Sequence, residues 1–404
     1  MSGIPSRSRR NVLRLAAGGA LAATLPGCSI PDRGEPVPLG RTADASVLGL
    51  KNERFFPASG AGPMESEFMA AMLRQFRARG LKGPQEMPQL QFLAISGGGE
   101  NGAFGAGLLC GWTVQGSRPV FDLVTGVSTG ALSAPFAFLG SDYDPQLKAV
   151  YTATKSSEIL SKRGFSAALF NDAMADNEPL YRTISGYMDE KMIRDIAAAY
   201  DKGRLLFIGS TDLDAQVPVI WNVGAIAKSG HPKAAETICR ILLASAAIPG
   251  AFPPTMLDVT LDGKKYQEMH VDGGAFAQTF LYPAALTENR NERKRRGLPV
   301  IEARAFIIRN GRLDPEWATV ERRTLGIAGR AISTMIAASG YNDVIRIYNI
   351  ALRDGIDYNL AYIGQDFNKE LTEPFEASYM RALFDFAYQQ AVRGYDWAKK
   401  PPIL

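Results

Sequence analysis

The sequence predicts an α/β fold, a three-layer α/β/α sandwich around a mainly parallel sheet with helices on both faces. Three observations carry that expectation. From residue 90 onward, apolar runs of strand length alternate with helical patterns, the ordering that βαβ crossovers produce. Two of these runs, 90–96 and 121–127, lead through glycine turns into helices of small residues. The chain of 404 residues is 46% hydrophobic and 21% charged, which suits a large buried core and not a disordered or fibrous chain.

The N-terminus stands apart from the fold. Residues 1–27 carry Arg7, Arg9, Arg10 and Arg14 and no acid, and they account for the net charge of +4. Without these four, 41 basic residues balance 41 acidic ones, so nothing points to nucleic acid as a partner. A basic start, a short apolar run over 15–25 and small residues before a cysteine form a signal peptide too short to span a bilayer. Residues 8–14 resemble the twin-arginine export signal. Leu25-Pro26-Gly27-Cys28 resembles a bacterial lipobox, with Pro26 where a small residue is usual. On this reading Cys28 is lipidated, and the mature protein is held in the bacterial cell envelope. Ser29 is compatible with the outer membrane, facing the periplasm. An ordinary secretory signal with a chance cysteine is the alternative.

The remaining elements follow in order. Residues 28–63, rich in Pro, Gly and polar residues, are expected to form the tether, and 64–404 the folded domain, with a core at about 90–310 and a helical portion at 311–404. A helix over 65–79 places Phe68, Met69, Met72, Leu73 and Phe76 on one side, to pack on the core or to lie on a membrane, and Gly80 stops it. Strands are expected at 90–96, 121–127, 205–211, 217–223, 266–271 and 303–309. Helices are expected at 236–245, 318–339, 343–353 and 375–393, the last capped by Thr372 and stopped by Gly394. The charge cluster 291–297 is either a solvated helix end or a membrane-facing patch. Cys110 and Cys239 lie in apolar helical patterns as buried thiols, with a disulfide as the alternative. With His231 and His270 the only histidines, no zinc-type spacing exists, and no metal or cofactor is expected.

Gly97, Gly99 and Gly102 stand in the G-x-G-x-x-G spacing of dinucleotide-binding folds. Such a fold wants an acid closing the second strand, to hold the ribose. Asp122 has the right distance, but it opens its strand and would lie at the wrong edge of the sheet. The far edge carries Gly126-Val127-Ser128-Thr129-Gly130, a G-x-S-x-G turn between strand and helix, where a nucleophile elbow makes mechanical sense. In a parallel sheet both loops emerge at the strands' carboxyl ends, so Gly97, Gly98 and Gly99 are expected beside Ser128. Their N–H groups would converge with that of Thr129 on an oxyanion. The base is expected in "HVDGG": Asp272 ends a strand and Gly273 and Gly274 leave room for contact. His270 shares its strand face, so a Ser–His–Asp triad is the alternative to a direct Ser–Asp pair, although His270 lies farther from the carboxyl edge.

These three elements in this order resemble the patatin-like phospholipases, which are lipid acyl hydrolases. Gly97–Gly102 corresponds to the family's oxyanion loop, Gly126–Gly130 to its G-x-S-x-G turn, and Asp272–Gly274 to its D-G-G/A motif. "STDLDAQVPVIWNVGAIA" and "SAAIPGAFPP" also look like its connecting segments. The resemblance covers about 90–310. It implies catalysis by a Ser128–Asp272 dyad through an acyl-enzyme, with membrane lipids as substrate; the reading of Cys28 makes membrane lipids the anchor surface as well. The family's loop usually carries Lys or Arg just before its last glycine, where this sequence has Asn101. The alternatives are a catalytically weak envelope lipoprotein that binds lipid or scaffolds partners, and an acyltransferase using the same acyl-enzyme. Asp212 and Asp214 are expected as turn carboxylates, His231 as a solvated loop residue, and 248–254 as a wall of an acyl pocket or a packed loop.

Overall fold

The computed structural model describes residues 33–153, 159, 161–162, 175–282 and 287–402, so the expected leader and Cys28 lie outside the described residues. One sheet contains Arg54–Phe55 (β1), Leu90–Ile95 (β2), Leu123–Val127 (β3), Leu205–Asp212 (β4), Val217–Asn222 (β5), Thr255–Leu261 (β6), Lys264–Asp272 (β7), Ala303–Arg309 (β8) and Asp357–Tyr362 (β9). Their spatial order is β1-β5-β4-β3-β2-β8-β9, with β7 against β4 and β6 against β7. The five strands from β4 to β9 in that order are parallel, and the other pairings are antiparallel. Every residue of β3 and β4 is buried, because both faces are covered.

The helices are Gly62–Arg79 (α1), Gly102–Gln115 (α2), Thr129–Leu139 (α3), Asp144–Thr152 (α4), Glu178–Tyr187 (α5), Glu190–Asp201 (α6), Val223–Lys228 (α7), Ala234–Ser245 (α8), Glu288–Arg295 (α9), Thr324–Asp354 (α10) and Ala377–Val392 (α11). One face of the sheet packs on α2, α3 and α11, the other on α1 and the C-terminal half of α10, which gives the three layers. The small residues of α2 let α11 come close. A Cβ at Gly107 would lie 2.2 Å from the Phe384 carbonyl oxygen, and one at Gly111 would lie 2.4 Å from that of Tyr388.

One register places the site. Strand β3 pairs with β4 as far as Val127↔Gly209, then turns away at Ser128. Strand β7 takes up the vacated edge of β4 at the next residue, Ser210↔Asp272. Asp272 therefore arrives from the antiparallel direction at the place where β3 leaves off.

Several expectations need correction. Residues 33–63 do not hang as a tether: Arg33 pairs with Asp214, Ser46 bridges Thr260, and β1 adds to β5. Helix α1 turns differently from its apolar stripe. It buries Met64, Glu67, Ala71 and Gln75 and leaves Met69 and Leu73 exposed. The polar contacts decide this: Glu67 accepts from Arg74 and Tyr200, and Gln75 donates to Gly203. The two patterns at 318–339 and 343–353 form the single helix α10, which starts only at Thr324. Thr372 does not cap α11; Glu376 stands at the cap position and accepts the Thr372 hydroxyl. Strands β6 and β9 were not anticipated. Gly80 and Gly394 end their helices at positive φ, Cys110 and Cys239 are buried free thiols, and the basic cluster sits on α9 and the turn after it.

A buried ionic network joins the N-terminal segment to β7. Arg54 grips Glu268 through two hydrogen bonds of 2.5 and 3.1 Å. Glu268 also meets His270 Nε2 at 3.0 Å, and His270 Nδ1 meets Ser210 Oγ at 3.0 Å. Asp212, Glu268 and His270 place one ligand atom each within 4.8 Å of one another, but the Arg54 guanidinium is the cation that Glu268 already holds. Removing one partner of such a pair strands a buried charge. Glu268→Ala is expected to lose about 3–5 kcal/mol of stability, measured by urea unfolding; a loss within experimental error would mean the pair is not structural.

Candidate active site

Ser128 sits between β3 and α3 with φ 56° and ψ −127°, a conformation that L-residues rarely adopt. Its surroundings hold it there. The Ser128 N–H donates to Ser245 Oγ at 3.0 Å, and Ser245 donates in turn to the Gly209 carbonyl at 2.6 Å. Tyr151 meets Thr129 Oγ1 at 2.6 Å and donates to the Thr129 carbonyl at 2.9 Å, pinning the first turn of α3. A Cβ at Gly126 would lie 2.5 Å from the Gly130 carbonyl oxygen, and one at Gly130 would lie 2.3 Å from that of Ile95, so both glycines of the elbow are sterically required.

Asp272 and Ser128 are brought together as expected. Asp272 is buried, and desolvation pushes its pKa up to about 7; the Ser128 hydroxyl and the Gly274 N–H offset part of that rise. Oδ1 accepts from Gly274 at 2.7 Å. The Ser128 hydroxyl is near enough to favour the charged carboxylate, yet the contact falls short of hydrogen-bond geometry and Oδ2 has no hydrogen-bond partner among the described residues. Gly273 closes the approach: a Cβ there would lie 2.5 Å from the Gly209 carbonyl oxygen. His270 is not brought to Ser128, since both its ring nitrogens are engaged in the buried network.

The glycine loop lies against the elbow, where a Cβ on Gly97 would sit 3.1 Å from Ser128 Cβ. Gly97 itself corrects an expectation. Its N–H is committed to the Gln278 carbonyl at 3.0 Å and is not available to an oxyanion. The N–H groups of Gly98, Gly99 and Thr129 donate to no protein group among the described residues. Gly102 lets α2 start beside the elbow, since a Cβ there would lie 2.1 Å from Thr129 Oγ1.

Sequence reasoning missed what fixes the loop. Arg309, at the end of β8, donates through Nη1 to Ser96 Oγ at 3.2 Å and to the Gly97 carbonyl at 3.1 Å. The peptide unit so held is the one that carries the Gly98 N–H, and a trans peptide points its N–H away from its C=O. Burial pulls the Arg309 pKa down to about 10, which still leaves it charged at neutral pH. Asn310 donates to the Ser96 carbonyl at 2.9 Å and accepts from the Gly105 N–H at 3.0 Å. Gln278 ties Gly97 to the Gly274 carbonyl. Asn101 accepts from Tyr379 of α11 at 2.7 Å. The cation is thus behind the loop, and the position where the family usually has one is used as an anchor. The one available signal was a polar pair, Arg309-Asn310, closing an apolar strand.

A cavity opens from Ser128. Its empty space, part of it open to solvent, is about 820 Å³, and the walls are almost wholly apolar, with Leu132, Phe136, Leu242, Ile248, Phe252 and Met380 among them. Ile248 and Phe252 place the 248–254 segment in that wall. Gly99, Glu100 and Thr129 form the end near the serine. Burial raises the Glu100 pKa, and its contacts with its own N–H and that of Phe375 moderate the rise. Asp212 accepts the N–H groups of Asp214 and Ala215, the turn role expected of it, and His231 Nδ1 accepts the Lys233 N–H in its loop.

Fold and site together define a class: an α/β protein that presents a strained serine to a buried carboxylate at the carboxyl edge of its sheet. Residues 93–285 match the family model described as Patatin-like phospholipase. Among solved structures the chain is similar to VipD from Legionella pneumophila, at 13% identity and a TM-score of 0.37, over 76% of this chain and 67% of that one. No curated protein matches the chain. The family points to lipid acyl hydrolase activity. Among the described residues no helix is long and apolar enough to cross a membrane.

The Asp272 carboxyl makes the fold pH-sensitive in a defined direction. Its pKa in the folded protein is raised from 3.8 to about 7, so the protonated form favours folding. That contribution is complete below about pH 4 and is lost as pH rises through 7. Asp272→Asn is therefore expected to be more stable than the parent at pH 8, by an amount on the order of a few kcal/mol, with the difference vanishing near pH 4. Thermal unfolding at the two pH values measures it; an equal difference at both would contradict a buried, neutralised Asp272.

Proposed function

We propose that the protein is a serine lipid acyl hydrolase that cleaves acyl esters of membrane lipids through a Ser128–Asp272 dyad. The observation that carries this reading is the buried Oδ2 of Asp272, without a hydrogen-bond partner among the described residues, beside a serine hydroxyl held in a strained turn. In its carboxylate form Asp272 takes the Ser128 proton as Oγ bonds to the ester carbonyl carbon. The oxyanion gathers the N–H groups of Gly98, Gly99 and Thr129, at the positive end of α3. Collapse breaks the ester bond, and the departing alcohol takes the proton back from Asp272. Water then attacks the acyl-Ser128, giving a proton to Asp272, and the fatty acid leaves with Ser128 restored. Charge stabilisation rests on backbone donors, so no metal or cofactor is assigned a step.

The apolar cavity supports the assignment of an acyl chain to it, because a wall this apolar rewards a hydrocarbon far more than a polar group. The N-terminal segment completes the reading: acylated Cys28 anchors the protein in the envelope, at the outer membrane facing the periplasm.

A fluorophosphonate probe is expected to label the protein and not Ser128→Ala; labelling of a folded Ser128→Ala would remove Ser128 from the mechanism. Failure to label the parent would favour the lipid-binding reading. Asp272→Asn is expected to lose about two to four powers of ten in turnover, while His270→Gln keeps a substantial part. The parent's kcat/KM should rise with pH through about 7, as the buried base loses its proton. The His270→Gln profile should have the same shape, and its disappearance would implicate a histidine base.

A further inference from the structure

Helix α10 is half inside the protein and half outside it. Its C-terminal half contributes Val344, Ile347 and Ala351 to the core. The crossover point is well defined: a Cβ at Gly340 would lie 2.6 Å from the Arg309 guanidinium, and Asp343 accepts the N–H groups of Gln278 and Thr279. Both contacts lie at the carboxyl ends of the strands, beside the site. The helix enters β9 from the opposite edge, so residues 324–339 project beyond the carboxyl edge, a length of about 24 Å at helical rise. No residue of 326–339 is buried.

That projection is apolar. Residues 326–339 contain one charged residue, Arg330. Ile327, Ile332 and Met335 are 52%, 50% and 68% exposed, and Trp317, just before the helix, is 89% exposed. Exposed apolar surface of this kind in a folded chain marks a binding surface. The charges nearest its tip choose the partner. Arg322 and Arg323 stand at the N-terminus of α10, where basic residues oppose the helix dipole and weaken the helix. Glu321 pairs with Arg323 at 3.6 Å, yet residues 321–339 carry three arginines, Arg322, Arg323 and Arg330, against this one acid, so with the dipole's positive end the projecting segment is net cationic. Trp317 adds a side chain with one apolar and one polar end, suited to a headgroup boundary. The described chain also starts on this side of the sheet, because Arg33 is paired with Asp214 in the turn after β4. Cys28 is five residues earlier, within about 17 Å of extended chain.

We propose that the exposed N-terminal half of α10, with Trp317 before it, docks on the surface of an anionic lipid bilayer and sets the mouth of the Ser128 cavity against that surface. The inference rests on the hydrolase reading for its purpose, but the surface itself is argued from exposure and charge. It assigns α10 a role that the catalytic residues do not share.

The full chain carrying Cys28→Ala, which removes any acyl anchor, is tested by flotation with vesicles of phosphatidylethanolamine and phosphatidylglycerol at 3:1. Ile332→Glu with Met335→Glu is expected to lower the bound fraction by about tenfold or more, since each buried apolar side chain is worth that much in partitioning. Arg322→Glu with Arg323→Glu should weaken binding to these vesicles and leave the weak binding to purely zwitterionic ones unchanged. Hydrolysis of a water-soluble short-chain ester should be unaltered in both variants, while release of fatty acid from the vesicles falls with binding. Vesicle binding that the apolar double variant does not change would overturn the proposal. So would a dimer of the parent that this variant converts to a monomer with vesicle binding intact, because the face would then cover a second copy. If the parent has no Ser128-dependent esterase activity but vesicle binding still responds as stated, the hydrolase reading fails and the docking surface stands.

Discussion

The site depends on one hydrogen-bonding edge, that of β4, which two strands share in succession. Strand β3 occupies it to Gly209 and β7 from Ser210 onward. A strand cannot continue once its residue turns to positive φ, so the strain at Ser128 and the vacancy filled by Asp272 are the same event. The antiparallel direction of β7 matters as much. It brings a strand's last residue to the carboxyl edge from outside, where a parallel strand would have to pass through the core. Because side chains alternate along a strand, shifting this register by one residue would turn Asp272 away from Ser128. The Arg54–Glu268–His270–Ser210 network sits within that same short stretch of pairing and fixes it.

Holding a serine, a carboxylate and three free N–H groups together is unfavourable in every part. The serine is strained, the carboxylate is desolvated, and the donors have no partner among the described residues. Each is compensated by neighbours with satisfied hydrogen bonds: Ser245 and Tyr151 for the elbow, Gly274 for Asp272, Arg309 and Asn310 for the loop. The compensation comes from β8, α4 and α8, elements far apart in sequence. Arg309 acts twice, since its charge lies behind the peptide that carries the Gly98 N–H and its position is locked by the close passage of α10 at Gly340.

The legibility of the sequence follows from how local each signal is. The three glycine motifs could be found because a tight turn, a close backbone approach and a strained serine each restrict residue choice at that spot. The parallel core of the sheet was legible for the same reason, as β2, β3, β4 and β8 are continuous apolar runs. Strands β6 and β9 were not: β6 alternates buried and exposed residues, and β9 follows a long helix without a glycine-rich turn of the motif kind. Gly97 was misassigned because its N–H is claimed by Gln278, 181 residues later in the chain, and no local pattern shows that. Arg309 and Gln278 were missed likewise. Helix α1 misled because its apolar stripe is real but loses to Glu67 and Gln75, whose partners Tyr200 and Gly203 lie more than a hundred residues away.

The molecule presents hydrocarbon in two places, inside as the cavity wall and outside on α10, and under the proposed function these are one requirement. An acyl chain leaving a bilayer for water costs about 0.8 kcal/mol per methylene, so a chain of ordinary lipid length does not cross an aqueous gap at any useful rate. A cavity lined by Leu132, Phe136 and Phe252 recovers that cost only after arrival, and so does nothing for the journey. Contact between the cavity mouth and the lipid surface removes the gap. A projecting helix rooted beside the oxyanion loop meets this need with little added machinery. Its fixed end, at Gly340 and Asp343, is part of the same packing that holds Arg309 and Gln278 in place. Under the proposed function, the orientation of the protein on the lipid and the order of its glycine loop therefore share one support.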